Sequence, residues 1–379
     1  MKLLLINHEY PPIGGGAATA TEAIAHALTE LGHHVAVLTS RYRGLPAYQI
    51  ENGIAVHRVS SLRRRADRSN LFEMLTFTAA AFLRLPFILK KCQPDGSIVF
   101  FSLPNGPLGL IAKLFFGIPY VLSLRGGDVP GLVPELELVH KIATPLRRLV
   151  LRNACAIVAN AEGLQKLSEK ADRYPVRVIA NGVDADFFQP APTRSTSSLS
   201  DDSLRLLFVG RLHEQKNLRF LFQQLARISA ATFELQLVGD GPQKKQLQDL
   251  ASELGIAQRL TWHGWVPREA LPKIYQSADC LINPSQYEGM PNVVLEAMAC
   301  GLPVIASDIP GNRALVLDHE TGFLFDLHEP DSLRTAIEHL VKDRSVISKL
   351  GLAGRARAIA EHSWKSAAQS YVDLLNLGT

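Results

Sequence analysis

The stretch Arg205-Leu-Leu-Phe-Val-Gly-Arg-Leu-His-Glu-Gln-Lys-Asn-Leu218 runs from an apolar, β-rich segment through a glycine turn into a helix start. A strand, turn and helix in that order form the repeating unit of an open α/β sheet. The same succession recurs on both sides of it. In the first half the expected strands are Lys2–Asn7, Val35–Thr39, Ile54–Val59, Ser97–Phe101, Tyr120–Leu124, Ala156–Ala159 and Val176–Ile179. Helical patterns lie between most of them, as in Thr19–Leu31 and Leu108–Phe116. In the second half Glu234–Val238, Leu260–Trp262, Cys280–Asn283 and Val304–Ala306 join Arg205–Val209 as strands. The chain then closes in helices alone, Asp331–Lys342, Val346–Ala360 and Trp364–Leu377. This alternation predicts an α/β fold whose parallel sheets are covered on both faces.

A chain of 379 residues calls for two domains. The segment Gln189–Ser203, rich in Pro and Ser and without periodicity, reads as a linker or exposed loop. The division expected is 1–188, a linker at 189–203, 204–360, and a final helical segment 361–379. Two doubly wound domains meeting face to face would bring the carboxyl ends of both sheets to one central cleft, where open α/β sheets bind ligands.

Residues 1–190 hold 21 Lys and Arg against 15 Asp and Glu, a balance of +6; residues 191–379 hold 19 against 21, a balance of −2. The first half is therefore the one expected to meet an anionic substrate or membrane surface. No basic module interleaved with aromatic residues appears, so nucleic acid is not an expected partner. Cys92, Cys155, Cys280 and Cys300 are scattered in or beside apolar runs and read as buried free thiols of a reducing compartment. Asn7, His8 and Glu9 end the first apolar run too early for a signal sequence, so it reads as a buried strand. The apolar stretch Leu71–Leu89 contains Glu73 and Arg84 and is not expected to span a bilayer. A cytoplasmic location follows as an expectation.

Chemistry-bearing residues gather at the predicted carboxyl ends of strands. Arg211 offers a planar fork of donors and Lys216 a compact charge, which together suit a diphosphate; two solvated cations is the plain alternative. Glu288-Gly-Met-Pro-Asn-Val-Val-Leu-Glu296 places one acid on a loop and the second in the early turns of a helix, with Asn292 as its N-cap and Gly301 as its stop. Such a junction can present two carboxylates to the hydroxyls of one ligand and helix N–H groups to an anion. Gly239-Asp-Gly-Pro242 and His263-Gly264 are further glycine turns at the same edge. Gly14-Gly-Gly16 follows the first strand and lets a backbone approach a phosphate, or serves as a flexible turn.

Asp128, in Leu124-Arg-Gly-Gly-Asp128, reads either as a base or hydroxyl acceptor, or as the capping acid of a turn. Arg125 beside it can bind an anion. Asp184-Ala-Asp186 spells a spacing that can hold a divalent metal, but no further acid or His completes a site, so no metal is expected. For Arg63-Arg-Arg-Ala-Asp-Arg68 with Leu71–Leu89 and Lys90-Lys91, two readings stand. One is a basic apolar segment in the headgroup region of an anionic leaflet. The other is a solvated basic loop before a buried helix.

Taken as a set, Gly14–Gly16, Asn181-Gly-Val-Asp184, Gly210-Arg211, Lys216-Asn217, Gly239-Asp-Gly-Pro242, Glu288-Gly289, Glu296 and Trp364 resemble the retaining GT-B glycosyltransferases of family 4, the group 1 glycosyl transferases. The similarity extends over nearly the whole chain. It implies two Rossmann-like domains whose parallel sheets face a central cleft, with the donor held mainly by the second domain and the acceptor by the first. It also implies that the last helix crosses back to the first domain. By matching positions, Arg211 and Lys216 would neutralise a leaving diphosphate. Glu288 would contact sugar hydroxyls and Glu296 the ribose. The backbone of Gly289, Met290, Pro291, Asn292 and Val293 would meet phosphate and sugar, with Gly210, Gly239 and His263 also on the donor side. Gly15 and Gly16 would cover the diphosphate.

No dedicated nucleophile, metal or cofactor is implied; the nucleotide-diphosphate sugar is a co-substrate, and the expected acceptor is a glycan or lipid-linked precursor at a membrane face. Many relatives carry a His in the turn after the fifth strand. Here Arg125 stands there and Asp128 is the remaining polar candidate. A nucleotide-sugar hydrolase or epimerase of the same fold, and a catalytically silent sugar-nucleotide-binding protein, are the competing readings.

Overall fold

The structure is a computed structural model and describes residues 1–66, 69–192, 203–228 and 233–377. The chain divides into two compact units, Met1–Asn181 with Trp364–Thr379, and Gly182–Ser363. Residues 193–202 of the stretch read as a linker, and Arg68 of the basic segment, lie outside the described residues.

The first unit opens with β1 (Lys2–Ile6), α1 (Gly16–Glu30), β2 (His34–Arg41), β3 (Tyr48–Glu51), β4 (Ile54–Ser60) and α2 (Leu71–Cys92). It continues with β5 (Gly96–Phe100), α3 (Gly106–Phe116), β6 (Tyr120–Leu124), α4 (Glu137–Asn153), β7 (Ala156–Ala159), α5 (Glu162–Asp172) and β8 (Arg177–Val178). Its sheet has the order β3-β4-β2-β1-β5-β6-β7-β8, parallel except for β3 against β4. The central strands are apolar throughout because both faces are covered. On one face lie α2, α3, α4 and α5, with Phe77, Ala81 and Leu85 of α2 recurring every fourth residue into the core. Each large side chain buried there contributes roughly 1.5–3 kcal/mol. Asn70 and Glu73 form a reciprocal capping box that starts α2.

The second unit carries β9 (Leu204–Val209), α6 (Leu218–Leu225), β10 (Phe233–Val238), α7 (Lys244–Glu253), β11 (Leu260–Gly264), α8 (Leu271–Ser277) and β12 (Cys280–Asn283). After these come α9 (Asn292–Ala299), β13 (Val304–Ser307), α10 (Pro310–Arg313), β14 (Gly322–Phe325), α11 (Pro330–Lys342) and α12 (Ser345–Glu361). The sheet order is β11-β10-β9-β12-β13-β14, all parallel. Gly301, at φ +72°, ends α9, and α12 then packs so closely that a Cβ on Gly351 would lie 2.0 Å from the Gly301 carbonyl oxygen. The last helix, α13 (Trp364–Leu377), belongs to the first unit. It packs on α1, its Tyr371 hydroxyl lies 2.8 Å from Ser123 Oγ, and Leu375 covers Gly96.

Two strands differ from the sequence expectation. β3 is a largely exposed hairpin partner of β4, too short to show an apolar run. β14, four residues long, follows β13 in the sheet, so the chain after Ala306 is not helical alone. Cys92 and Cys155 are half-buried rather than fully buried, and Cys280 and Cys300 are buried; none of the four is in a disulfide.

Candidate active site

Three turns are laced together at the carboxyl edge of the second sheet. Gly210 N donates to the Val238 carbonyl at 2.9 Å, Gly239 N to Gly264 at 2.7 Å, and Leu212 N to Asp240 at 3.0 Å. Gly239 has φ +129°, and a Cβ there would sit 1.9 Å from the Gly210 carbonyl oxygen, so no larger residue fits between these turns. Arg211 is half-buried in the first turn. Lys216 ends a short 3₁₀ turn (Glu214–Lys216), and Asn217 in left-handed conformation leads into α6.

That turn is stitched to the loop after β12. Gln286 N donates to the Gln215 carbonyl at 2.8 Å, and Gln215 Nε2 to the Tyr287 carbonyl at 2.9 Å. The two loops bring Lys216 Nζ into an ion pair with Glu288 Oε1, with side chains only 15% and 11% exposed. Below Glu288 lies a buried polar chain. Ser285 Oγ is 2.8 Å from both Glu288 Oε1 and Asn283 Oδ1. Asn283 Nδ2 donates to Asn312 Oδ1 at 3.0 Å, and Asn312 Nδ2 to the Ser307 carbonyl at 2.8 Å. Gly311 approaches so closely that an added Cβ would lie 2.6 Å from the Glu288 carbonyl oxygen. The carboxylate is therefore held from below as well as by the lysine.

Gly289, Met290 and Pro291 carry the chain to α9, with Met290 and Pro291 buried and Gly289 half-buried. Asn292 is the first helical residue, not the N-cap read from the sequence; Pro291 takes that place with an extended backbone, and Val293 follows in the first turn. Glu296, one turn further, accepts from the Tyr275 hydroxyl at 2.7 Å. Burial pushes the Glu296 carboxyl above its ordinary range, opposed by the Tyr275 hydrogen bond and Arg268. Tyr275 packs edge-on against Phe188, with ring centroids 5.8 Å apart. His263 departs from expectation: it lies within β11 rather than in a turn after it. Its ring is exposed and 2.9 Å from Gln236 Oε1 on β10.

In the first unit, Gly15 is the N-cap of α1 and Gly16 its first residue, both exposed at the carboxyl end of β1. A Cβ on Gly15 would touch nothing within 4 Å. Neighbouring Gly14 is pinned: its N donates to the Ala66 carbonyl at 2.8 Å, and Glu9 lies against it. Arg63 is buried and pairs with Glu9 at 3.3 Å, so it holds this loop rather than facing solvent.

Asp128 takes the position of a turn-capping acid. It is buried, and its carboxylate accepts from three backbone N–H groups, Ser102 at 2.6 Å, Arg125 at 3.0 Å and Gly126 at 3.1 Å. These bonds occupy both oxygens and make it the staple of the loop after β6. Arg125 likewise turns inward, donating to Asn181 Oδ1 at 2.7 Å and lying 4.8 Å over the Phe100 ring. Asp184 Oδ1 accepts from Phe187 N at 2.9 Å as a turn acid. Among the described residues no group of three or more His, Cys, Asp or Glu is placed to hold a metal.

Residues 14–187 match the family model described as Glycosyltransferase Family 4, and residues 192–357 that of Glycosyl transferases group 1. A D-inositol 3-phosphate glycosyltransferase of Thermobispora bispora is 30% identical, over 93% of this chain and 88% of its own. The chain belongs to glycosyltransferase family 4. A GDP-mannose-dependent alpha-(1-6)-phosphatidylinositol monomannoside mannosyltransferase of Mycolicibacterium smegmatis is 26% identical to this glycosyltransferase, over 99% of the chain and 98% of the relative. Among solved structures, Anabaena HepE in complex with UDP-glucose superposes with a TM-score of 0.78 at 21% identity, covering 99% of both chains. With its two parallel-sheet units, the glycosyltransferase has the GT-B fold.

Sequence reasoning on this glycosyltransferase missed the supports of the site. Asn283, Ser285, Ser307 and Asn312 read singly as strand-end or turn residues, and only their burial together reveals a network. His8 and Asn105 were also missed. Asn105 Nδ2 lies 3.2 Å from His8 Nδ1, next to the Gly14 loop, and burial lowers the His8 pKa. The one signal available was a run of polar residues, Asn7-His8-Glu9, directly after an apolar strand.

Proposed function

We propose that this glycosyltransferase moves a sugar from a nucleotide-diphosphate sugar to an acceptor hydroxyl of a surface-polysaccharide or glycolipid precursor, with retention of the anomeric configuration. The observation that carries the reading is the Lys216–Glu288 pair, fixed beside Arg211's turn and the N-terminus of α9. Departure of the diphosphate leaves an oxocarbenium-like sugar while negative charge grows on the phosphate oxygens. Arg211, Lys216 and the N–H groups opening α9 would stabilise that charge where it develops.

Glu288 would take hydrogen bonds from sugar hydroxyls, and Glu296 from the ribose. With the leaving group so held, same-face attack is the route we favour: a donor phosphate oxygen takes the acceptor's proton, and no protein nucleophile is used. The charge on the diphosphate falls to side chains in this reading, so no metal is required. A nucleotide-sugar donor accords with what the names of the M. smegmatis relative and the HepE complex state. The phosphatidylinositol monomannoside acceptor of that relative supports a lipid-linked acceptor here. A location at the cytoplasmic face of a membrane follows from the same proposal.

Thermal-shift screening against UDP-, GDP- and ADP-sugars finds the donor, since a ligand of the native state raises Tm by mass action. With donor and acceptor in hand, the product's anomeric proton coupling reports the stereochemistry, and an inverted product overturns the retaining mechanism. Rates unchanged by EDTA are expected. Rapid donor turnover without acceptor would favour a hydrolase.

A further inference from the structure

The helices over one face of the first sheet are apolar on the wrong side for a water-facing layer. α2 packs on α3 and α3 on α4, and all three bury one face against the sheet. By length and composition α2 is long and apolar enough to cross a bilayer, yet one face of it is packed onto the sheet. Its opposite face exposes Leu71, Phe72, Leu75, Phe82, Leu83 and Phe87. α3 ends in exposed Leu114, Phe115 and Phe116. On α4 the exposed residues Leu138, Ile142, Leu146 and Leu149 recur at helical spacing as an outward stripe. Soluble monomers rarely leave so much apolar surface together.

Basic residues border this surface. Arg64 and Arg65 precede α2, Arg84, Lys90 and Lys91 lie on it, and Arg148 and Arg152 flank the α4 stripe, all exposed. The acids of the layer are largely spoken for. Glu73 is buried in its capping box, Glu137 pairs with Lys141 at 2.9 Å, and Asp172 is buried with Arg147 and Arg148; Glu135 remains exposed before α4. Beside α2 opens a cavity of about 270 Å³ whose lining includes Tyr48, His57, Arg58, Arg84, Phe87 and Lys91. Arg58 is committed to Glu51 at 2.5 Å, and Lys91 Nζ stands 4.3 Å over the Tyr48 ring.

We propose that the outer face of α2, α3 and α4 docks onto an anionic lipid leaflet, with lipid phosphates seated at Arg84 and Lys91. Apolar side chains at the centre enter the acyl boundary while the surrounding cations meet the headgroups. A second copy of the chain is a poorer occupant, because self-pairing would oppose like charges along the rim. The inference deepens the lipid-linked acceptor reading, yet its test uses neither donor nor acceptor, so the two can fail separately.

The test is co-sedimentation of the full-length protein with vesicles of equimolar phosphatidylglycerol and phosphatidylcholine, and with phosphatidylcholine alone. Binding to the mixed vesicles is expected, weakening with salt and much reduced on pure phosphatidylcholine. Each basic side chain at such a surface contributes about fivefold in affinity, so R84Q/K90Q/K91Q is expected to bind about a hundredfold more weakly. L83D/F87D and, on a separate helix, I142D/L146D should each abolish binding while keeping the wild-type Tm, because all four side chains are exposed. K244Q/K245Q, on the second unit, should bind as wild type. Equal binding to both vesicle types, or wild-type binding by both apolar-face variants, overturns the proposal. So does a dimer in analytical ultracentrifugation that those variants dissociate, with no vesicle binding.

Discussion

Lys216 Nζ donates to Glu288 Oε1 across 72 residues of sequence, joining the turn after β9 to the loop after β12. The pair sets a cation and an acid side by side at the edge where strand ends and the N-terminus of α9 converge. Each charge offsets the other, and both are largely removed from water. A diphosphate arriving there would draw Lys216 toward its oxygens and leave Glu288 to accept from sugar hydroxyls.

Lys216→Ala and Glu288→Ala are therefore expected to fold and to lose transfer. Removing one preorganised charge from a developing anion typically costs about 10²–10³ in kcat. Lys216→Ala should lose at least that, with the fall in kcat exceeding any rise in KM. Circular dichroism checks the fold, and steady-state rates check the loss. Near-wild-type activity in either variant would remove these residues from the site.

The close approach of Gly311 to the Glu288 loop gives a second expectation. In Gly311→Ala the new methyl would meet the carbonyl oxygens of Glu288 and Gly289 at 2.6 and 2.8 Å, so the loop has to move. Overpacking of this kind costs roughly 1–3 kcal/mol. Displacing a positioned group by about 1 Å can cost about 10² in rate. The variant should show a lowered Tm and a kcat loss larger than that stability change explains. Unchanged kcat would mean that Glu288's exact placement does not matter.

Gly15→Ala is the contrasting case. Nothing lies within 4 Å of the added methyl, so stability should stay within about 0.5 kcal/mol of wild type. If a diphosphate approaches the N-terminus of α1, the methyl stands in its way, and the donor KM should rise about tenfold with Tm unchanged, a loss of about 1.4 kcal/mol in binding. An unaltered KM would free Gly15 from any donor contact.

The fold was legible where burial writes itself into composition. Tyr120–Leu124, Ala156–Ala159 and Cys280–Asn283 lie in the sheets with the ends read from sequence, because short apolar runs bounded by turns can hardly be anything else. β3 was not legible, since an exposed antiparallel edge strand of four residues puts only Tyr48 and Ile50 on one face, too few to mark an apolar alternation. In the site, Lys216 and Glu288 could be picked out by residue type and position. Their pairing could not, because it depends on how two distant loops meet. Asp128 shows the limit most clearly. An acid after two glycines reads equally as a base or a turn staple, and the three backbone donors that make it a staple come from loops the sequence does not bring together.

Glu296 links stability to pH in a direction opposite to an ordinary ion-paired acid. Burial raises its pKa in the folded state, and the Tyr275 hydroxyl and Arg268 only partly offset this. Below the unfolded glutamate range, near pH 4.3, the group is protonated in both states and burial carries no charge penalty. As pH climbs from there through the raised folded value, the native state retains its proton longer than the unfolded chain. Stability therefore falls over that window and then levels off. Glu296→Gln keeps an oxygen acceptor for Tyr275 and cannot ionise. Its Tm should match the wild type at low pH and exceed it near pH 7, the gap opening across the window. Donor binding should suffer, because a ribose hydroxyl donates more strongly to a carboxylate than to an amide: charged hydrogen bonds are worth about 1.5–3 kcal/mol against about 1 for neutral ones. A rise in donor KM of roughly tenfold with little change in kcat is expected. Thermal melts across pH 4–8 with donor titrations at pH 7 check both parts. A variant less stable than wild type near pH 7, with the gap closing as the pH falls toward the glutamate range, would show that Glu296 is held as a stabilising charge and not as an acid whose ionisation burial penalises.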